Sequence, residues 1–169
     1  RSQVAKNSMM AIGDLCVDLG QRLDNEVSGM VSALIKRLSD SSAFVSGSCE
    51  ASLTAIIENC TPSRSLLAFL QNHDNRSPAI RGKVSGLLAR LINAHASELK
   101  QSAPKDLEAL FIRLPKLIAD NTPGARAAGR EIIRVAIFSG CMQAREMEAY
   151  VGADVVDKAL REQAGAGSS

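Results

Sequence analysis

Aromatic side chains are scarce in this chain of 169 residues: they make up 3%, with one Tyr and no Trp. That shortage argues against a β-sandwich core and against a surface that stacks nucleic-acid bases, both of which draw on aromatic rings. Only two histidines are present, His73 and His95, and no His/Cys/Asp spacing of the kind that holds zinc recurs. The four cysteines, Cys16, Cys49, Cys60 and Cys141, lack a CxxC pair. They fall among apolar residues and read as small buried thiols in a reducing compartment. No apolar run approaches the ~20 residues that span a bilayer, and no secretory h-region opens the chain. A phosphate-cradling GxxxxGKS/T loop and a GxSxG elbow are also missing. Catalysis is therefore not expected, nor a cofactor, a metal or a membrane partner. The formal net charge of +2 is small for a general nucleic-acid binder.

What the chain has in quantity is helical repetition. A hydrophobic fraction of 46%, mostly Leu, Ile, Val and Ala, can fill a shared core. Four stretches starting at Arg1, Ser46, Arg81 and Arg126 superimpose without a gap. An offset of three gives Val4, Cys49, Val84 and Gly129, and an offset of seven gives Ser8, Leu53, Leu88 and Ile133. Offsets of ten and eleven give Ala11-Ile12, Ile56-Ile57, Leu91-Ile92 and Ala136-Ile137. The starts are 45, 35 and 45 residues apart, the period of helix pairs that bury their apolar faces only by stacking on neighbours. The expected fold is all-α, an α-solenoid of HEAT repeats built from antiparallel helix pairs.

Helices are expected over 2–23, with Val4, Ile12, Leu15, Val17, Leu19 and Leu23 on or near the inner face, and over 25–38 and 45–59. Thr61-Pro62 opens a helix to Gln71 by an N-cap and a proline in the first turn. Further helices are expected over 79–94, from Ser102-Ala103-Pro104 to Asp120 with Pro115 as a kink or a first turn, and over 125–138, 143–150 and 153–163. Gly82, Gly86 and Gly129, inside apolar helices, are read as close-approach positions. The segment 164–169, Ala-Gly-Ala-Gly-Ser-Ser, has linker composition, so 1–163 is taken as one domain, monomeric within a longer multidomain chain.

Equivalent turns of a solenoid line up along one edge, which brings Arg1, Arg81 and Arg126 into one row. Arg76 and Lys83 add charge around the second of these and Arg130 around the third. Position 46 departs from the row: Phe44-Val45 precede a serine there, giving an apolar contact. Guanidinium groups in a row suit an acidic partner that offers carboxylates for forked hydrogen bonds. Two alternatives stay open on the residues alone. Each Arg can instead pair with an Asp of a preceding turn, such as Asp74 or Asp120, and lock the loop, and Phe44 can be a buried staple on the following helix.

The order of the segments Arg1-Ser2-Gln3-Val4, Ser42-Ala43-Phe44-Val45, Glu58-Asn59-Cys60-Thr61-Pro62-Ser63-Arg64, Asn75-Arg76-Ser77-Pro78-Ala79-Ile80-Arg81 and Ala125-Arg126 with Gly129-Arg130 resembles the later HEAT repeats of a TOG domain. It is most similar to those of the ciliary TOG-array proteins (crescerins), with CLASP-type TOG domains next, and the resemblance runs to about Leu160. It implies a paddle-shaped stack that binds αβ-tubulin or microtubules through its intra-repeat turns and regulates their dynamics or stability, in the cytoplasm and cytoskeleton, including the cilium and axoneme. By this resemblance Phe44 and Val45 face β-tubulin. Arg76, Ile80, Arg81 and Lys83 form the fourth turn, and Arg126 and Arg130 the fifth, both facing α-tubulin; Arg1 ends the second. TOG domains commonly have about six repeats and an aromatic first turn, and the chain starts inside the second repeat. Ser46 stands where a basic residue is common. The other reading is a general HEAT scaffold that grips a helix or tail of another protein without contacting tubulin.

Overall fold

The computed structural model describes residues 2–162, whose regular structure is all helical, with no strand among them. Arg1 and residues 163–169, with the end of the expected last helix and the linker-like tail, lie outside the described residues. Helices follow in the order α1 (Ser2–Leu19), a 3-10 turn (Gly20–Leu23), α2 (Val27–Ile35), α3 (Ala43–Asn59), α4 (Pro62–Asn72) and α5 (Pro78–Ser102). The chain continues as α6 (Pro104–Phe111), α7 (Leu114–Ile118), α8 (Pro123–Phe138), α9 (Ala144–Val151) and α10 (Ala153–Arg161).

Two layers result. α1, α3, α5 and α8 lie side by side in one, and α2, α4, α6 with α7, and α9 with α10 cover them in the other. The shared core is aliphatic: Val31, Leu34, Leu53, Ile56, Ile57, Leu66, Leu88, Leu91, Ile92, Ile132 and Ile133 are fully buried. Burying a side chain of this size contributes roughly 1.5–3 kcal/mol, so the stacked faces supply the main driving force. This is the HEAT-type solenoid that the 45/35/45 spacing predicts.

Proline and glycine set the joints. Pro62, Pro104, Pro115 and Pro123 each occupy the first turn of a helix, where the missing N–H costs nothing. Pro115 therefore does not kink a helix running to Asp120: the segment breaks into α6 and α7. Gly152, at φ 87°, ends α9 and starts α10, a backbone conformation that a side chain resists. α5 runs on to Ser102, past the expected end at Ala94, because Ala96 and Leu99 extend its buried face.

The inner face of α1 differs from the expected one. Its buried or half-buried apolar positions are Ala5, Met9, Ile12, Gly13 and Cys16, an i, i+4, i+7, i+8, i+11 stripe. Val4, Leu15, Val17 and Leu19 point away from it and are exposed, because α1 meets a neighbour in its layer, α3, on one side only. Gly13 sits against Ser52, whose hydroxyl reaches back to the Met9 carbonyl at 2.6 Å. Of the three glycines read as close-approach positions, only Gly129 is tight: a Cβ there would lie 2.9 Å from Ile118 Cδ1, whereas at Gly82 and Gly86 it would meet nothing within 4 Å.

The junction of α3 with α5 is crossed by polar ties. Lys83 reaches Ser46, Arg90 pairs with Glu58 at 2.8 Å, and His95 Nε2 lies 2.9 Å from the Ile57 carbonyl. Cys16, Cys49 and Cys60 are buried free thiols. Burial raises the pKa of the first two, and burial with the neighbouring Cys16 pushes Cys60 up to about 12, so these sulfurs are protonated and unreactive at neutral pH.

Candidate partner-binding edge

The turns that precede α3, α5 and α8 share one construction. Asp40 Oδ1 accepts from the Ser42 N–H at 3.0 Å, Asn75 Oδ1 from Ser77 at 2.9 Å and Asp120 Oδ1 from Thr122 at 2.8 Å. Each is an Asx turn closing on the N-cap residue of the next helix. The helix then begins at Ala43, Pro78 or Pro123. Asp40, Asn75 and Asp120 are 35 and 45 residues apart, the spacing of Ser46, Arg81 and Arg126. Repetition thus extends to the side chains that shape the turns, and hydrogen bonds between neighbouring turns place them at a common edge.

Phe44 is the most accessible large apolar side chain of this edge, 75% exposed. It is not a staple buried on the following helix. Val45, one residue on and so rotated by ~100°, is 1% exposed and belongs to the core. Ile80 beside Arg81 is likewise buried, 6% exposed. The contact role expected of Val45 and Ile80 is corrected by this placement: both support the turns from inside.

Arg81 is locked into the fold. Its Nε donates to Asp120 Oδ2 at 2.8 Å, and its Nη2 donates to Asp120 Oδ1 at 3.4 Å and Asn121 Oδ1 at 2.7 Å. Nη1 donates to the Asn75 and Arg76 carbonyls at 3.1 and 3.2 Å. A guanidinium has five N–H groups, and here all five have a partner. The pair joins Arg81 to the following turn, not to Asp74 of the preceding one; Asp74 instead takes Lys116 at 2.7 Å. Hydrogen bonding from Arg81, assisted by Thr122 and opposed by burial, holds the Asp120 carboxyl down at about 2.

Arg126 repeats the first part of this arrangement and omits the second. Its Nη1 donates to the Asp120 carbonyl at 2.8 Å, six residues back, as Arg81 does to Asn75. Among the described residues its other N–H groups have no partner. Arg76 is exposed and makes no ion pair among the described residues. Arg130 is held by Glu162 at 2.8 Å. Lys83 leans toward the α3 turn, with Nζ 2.8 Å from Ser46 Oγ. Between the α5 turn and α7 an open groove of about 380 Å³ is lined by Asp74, Arg76, Arg81, Lys116 and Asp120, a mixture of both signs. The edge therefore offers one apolar knob, Phe44, and cationic donors at Arg76 and Arg126, on turns stiffened by Arg81 and the Asx caps. Such a surface offers shape and charge to a partner.

A two-layer stack of helix pairs that presents its repeat turns at one edge defines a HEAT-type α-solenoid domain. The chain belongs to the CLASP N-terminal family, which it matches over residues 1–158. It is 25% identical over 135 residues to mouse TOG array regulator of axonemal microtubules protein 1, covering 79% of this chain and 8% of that protein. Both findings fall in the two groups that the loop segments resemble.

Proposed function

We propose that this chain is a tubulin- or microtubule-binding module that regulates microtubule dynamics or stability through its intra-repeat turns, and that it acts at the cytoskeleton on ciliary or axonemal microtubules. Membership of the CLASP N-terminal family and the likeness to a regulator of axonemal microtubules support the partner class. The observation that carries the reading is the exposed Phe44 on an edge where Arg76 is exposed and the half-buried Arg126 has N–H groups without a partner among the described residues. An apolar knob seats in a partner's surface while forked donors meet its carboxylates. Because the turns are already braced, docking costs little ordering entropy.

Gel filtration with free tubulin and co-sedimentation with microtubules test this. Wild-type chain is expected to bind at least one form. Arg76→Glu/Arg126→Glu, and separately Phe44→Ala, should weaken it by at least about tenfold without changing the circular dichroism spectrum. A folded wild-type chain that binds neither form would remove the reading. The scaffold alternative draws on a different observation, the shallow apolar groove of about 210 Å³ lined by Met10, Gly13, Val17, Ala51 and Ala55 between α1 and α3. It predicts that Met10→Asp/Val17→Asp, and not the edge variants, abolishes partner capture.

A further inference from the structure

The α3 turn lacks an arginine at the recurrent position, yet two ammonium groups stand beside it. Ser46 donates through Oγ to the Leu38 carbonyl at 2.6 Å. Lys83, from the second turn of α5, comes in from one side, with Nζ 2.8 Å from that same hydroxyl, 3.3 Å from the Leu38 carbonyl and 3.4 Å from Glu50 Oε2. Lys6, from α1, comes in from the other side, with Nζ 5.7 Å from the centre of the Phe44 ring. That distance is within cation–π range. An open cleft of about 150 Å³ lies among Gln3, Lys6, Ser42 and Phe44.

We propose that Lys83 and Lys6 together supply the positive charge that position 46 lacks, so that the α3 turn grips carboxylate side chains of the acidic partner around the Phe44 knob. The proposal deepens the tubulin-binding reading and rests on it. Lys83 is 38% exposed, and Glu50, its ion-pair partner among the described residues, is half exposed. A partner carboxylate can replace Glu50 while the neutral contacts to Ser46 and Leu38 keep the ammonium in place. Lys6 makes no salt bridge among the described residues and has the aromatic face on one side only, leaving N–H donors for a carboxylate in the cleft. The N-terminus of α3, a 17-residue helix, adds positive potential at the same point. Neither lysine occupies the recurrent position: Lys6 is five residues after Arg1 and Lys83 two after Arg81. Lys83 is thereby reassigned from the α5 turn to the α3 turn.

The test combines zero-length carbodiimide cross-linking of wild-type chain to tubulin, which joins lysine amines to carboxylates and leaves arginine untouched, with affinities of Lys6→Met, Lys83→Met, the double variant and Lys83→Arg. Cross-linked peptides carrying Lys6 and Lys83 on tubulin acids are expected. Each Met variant should weaken binding by about three- to fivefold, the scale of an exposed ion pair, and Lys83→Arg should restore it. The inference is overturned if wild type binds and Arg76→Glu/Arg126→Glu weakens it while the double Met variant binds unchanged, or if neither lysine cross-links; the tubulin reading then survives. If Lys83→Met also lowers the melting temperature, the wild-type cross-links decide. A wild-type chain that does not bind tubulin overturns both.

Discussion

At the start of α5, Arg81 gives all five of its N–H groups to Asp120, Asn121 and the carbonyls of Asn75 and Arg76. At the start of α8, Arg126 holds its own Asx residue's carbonyl with one nitrogen and has no other partner among the described residues. The two arginines sit at the same point of the repeat and on the same Asx cap. What separates them is the following turn: after Arg81 comes Asp120 in the next Asx position, and after Arg126 no acid lies within reach among the described residues. A repeated residue thus acts as a staple or as a free donor according to its neighbour, not according to its place in the repeat. The α3 turn offers a third case, in which both members are neutral, Ser46 and Asn75, and the charge comes from Lys83 on the next helix.

The sharpest way to break this comparison is to remove each arginine in turn. Arg81→Ala leaves the largely buried Asp120 carboxylate without its main partner and two turn carbonyls without donors, and should destabilise the fold by about 2–4 kcal/mol. Urea denaturation followed by circular dichroism reads this as a lower midpoint with an unchanged slope. Arg126→Ala should cost less than about 1 kcal/mol in the same measurement. Equal losses would mean that the two turns are built alike after all.

Acid sharpens the same contrast. The folded Asp120 carboxyl titrates at about 2, below the ~3.9 of an unfolded Asp. A depressed pKa contributes stability that is complete above pH ~4 and is lost as the pH falls toward 2. Asp120→Asn should therefore be less stable than wild type at pH 7, and the gap should narrow steadily between pH 4 and 2. A gap that stays constant would show that Asp120 acts through hydrogen-bond geometry alone.

Glycine gives a smaller effect of opposite sign in the same two helices, at Gly82 near the start of α5 and at the buried Gly129 two residues deeper in α8. Gly82→Ala in α5 meets open space and should stabilise the chain by about 0.5–1 kcal/mol through helix propensity. Gly129→Ala in α8 presses on Ile118 Cδ1 and Leu117 Cβ and should forfeit that gain or reverse it. Thermal melts of the two variants decide, and a stabilised Gly129→Ala would mean that α7 yields to α8.

The solenoid was legible because stacking imposes one buried stripe per helix, and that stripe repeats at Cys49, Leu53 and Ile56-Ile57 as at Val84, Leu88 and Leu91-Ile92. The positions of the turns were legible for the same reason. The buried places of Val45 and Ile80 were within reach too, since Val45 heads the 45, 49, 52-53, 56 stripe of α3 and cannot face solvent beside Phe44. The Asx caps at Asp40, Asn75 and Asp120 went unread although they carry the 35/45 spacing. By contrast, the meeting of Lys83 with Ser46 and of Arg81 with Asp120 depends on how far one helix pair is rotated on the next. That rotation is set by side-chain packing across the whole interface, and no local pattern encodes it.

The smallest stability effect carries the functional half of the comparison. Arg126→Lys keeps the charge and the reach to the Asp120 carbonyl but loses the planar fork. If Arg126 only braces its turn, lysine should serve as well, and both stability and tubulin affinity should match wild type. If its unpartnered N–H groups meet a carboxylate in bidentate fashion, stability should change by less than about 0.5 kcal/mol while affinity for tubulin falls by roughly three- to tenfold. Arg81→Lys should behave in reverse, losing about 1–2 kcal/mol of stability because one ammonium cannot satisfy acceptors that a five-donor fork now joins. Affinity measured on the folded fraction should then be nearly unchanged. Crossed outcomes of this kind would separate the staple from the donor, whereas parallel losses at both positions would show that bracing and contact are a single property of the edge.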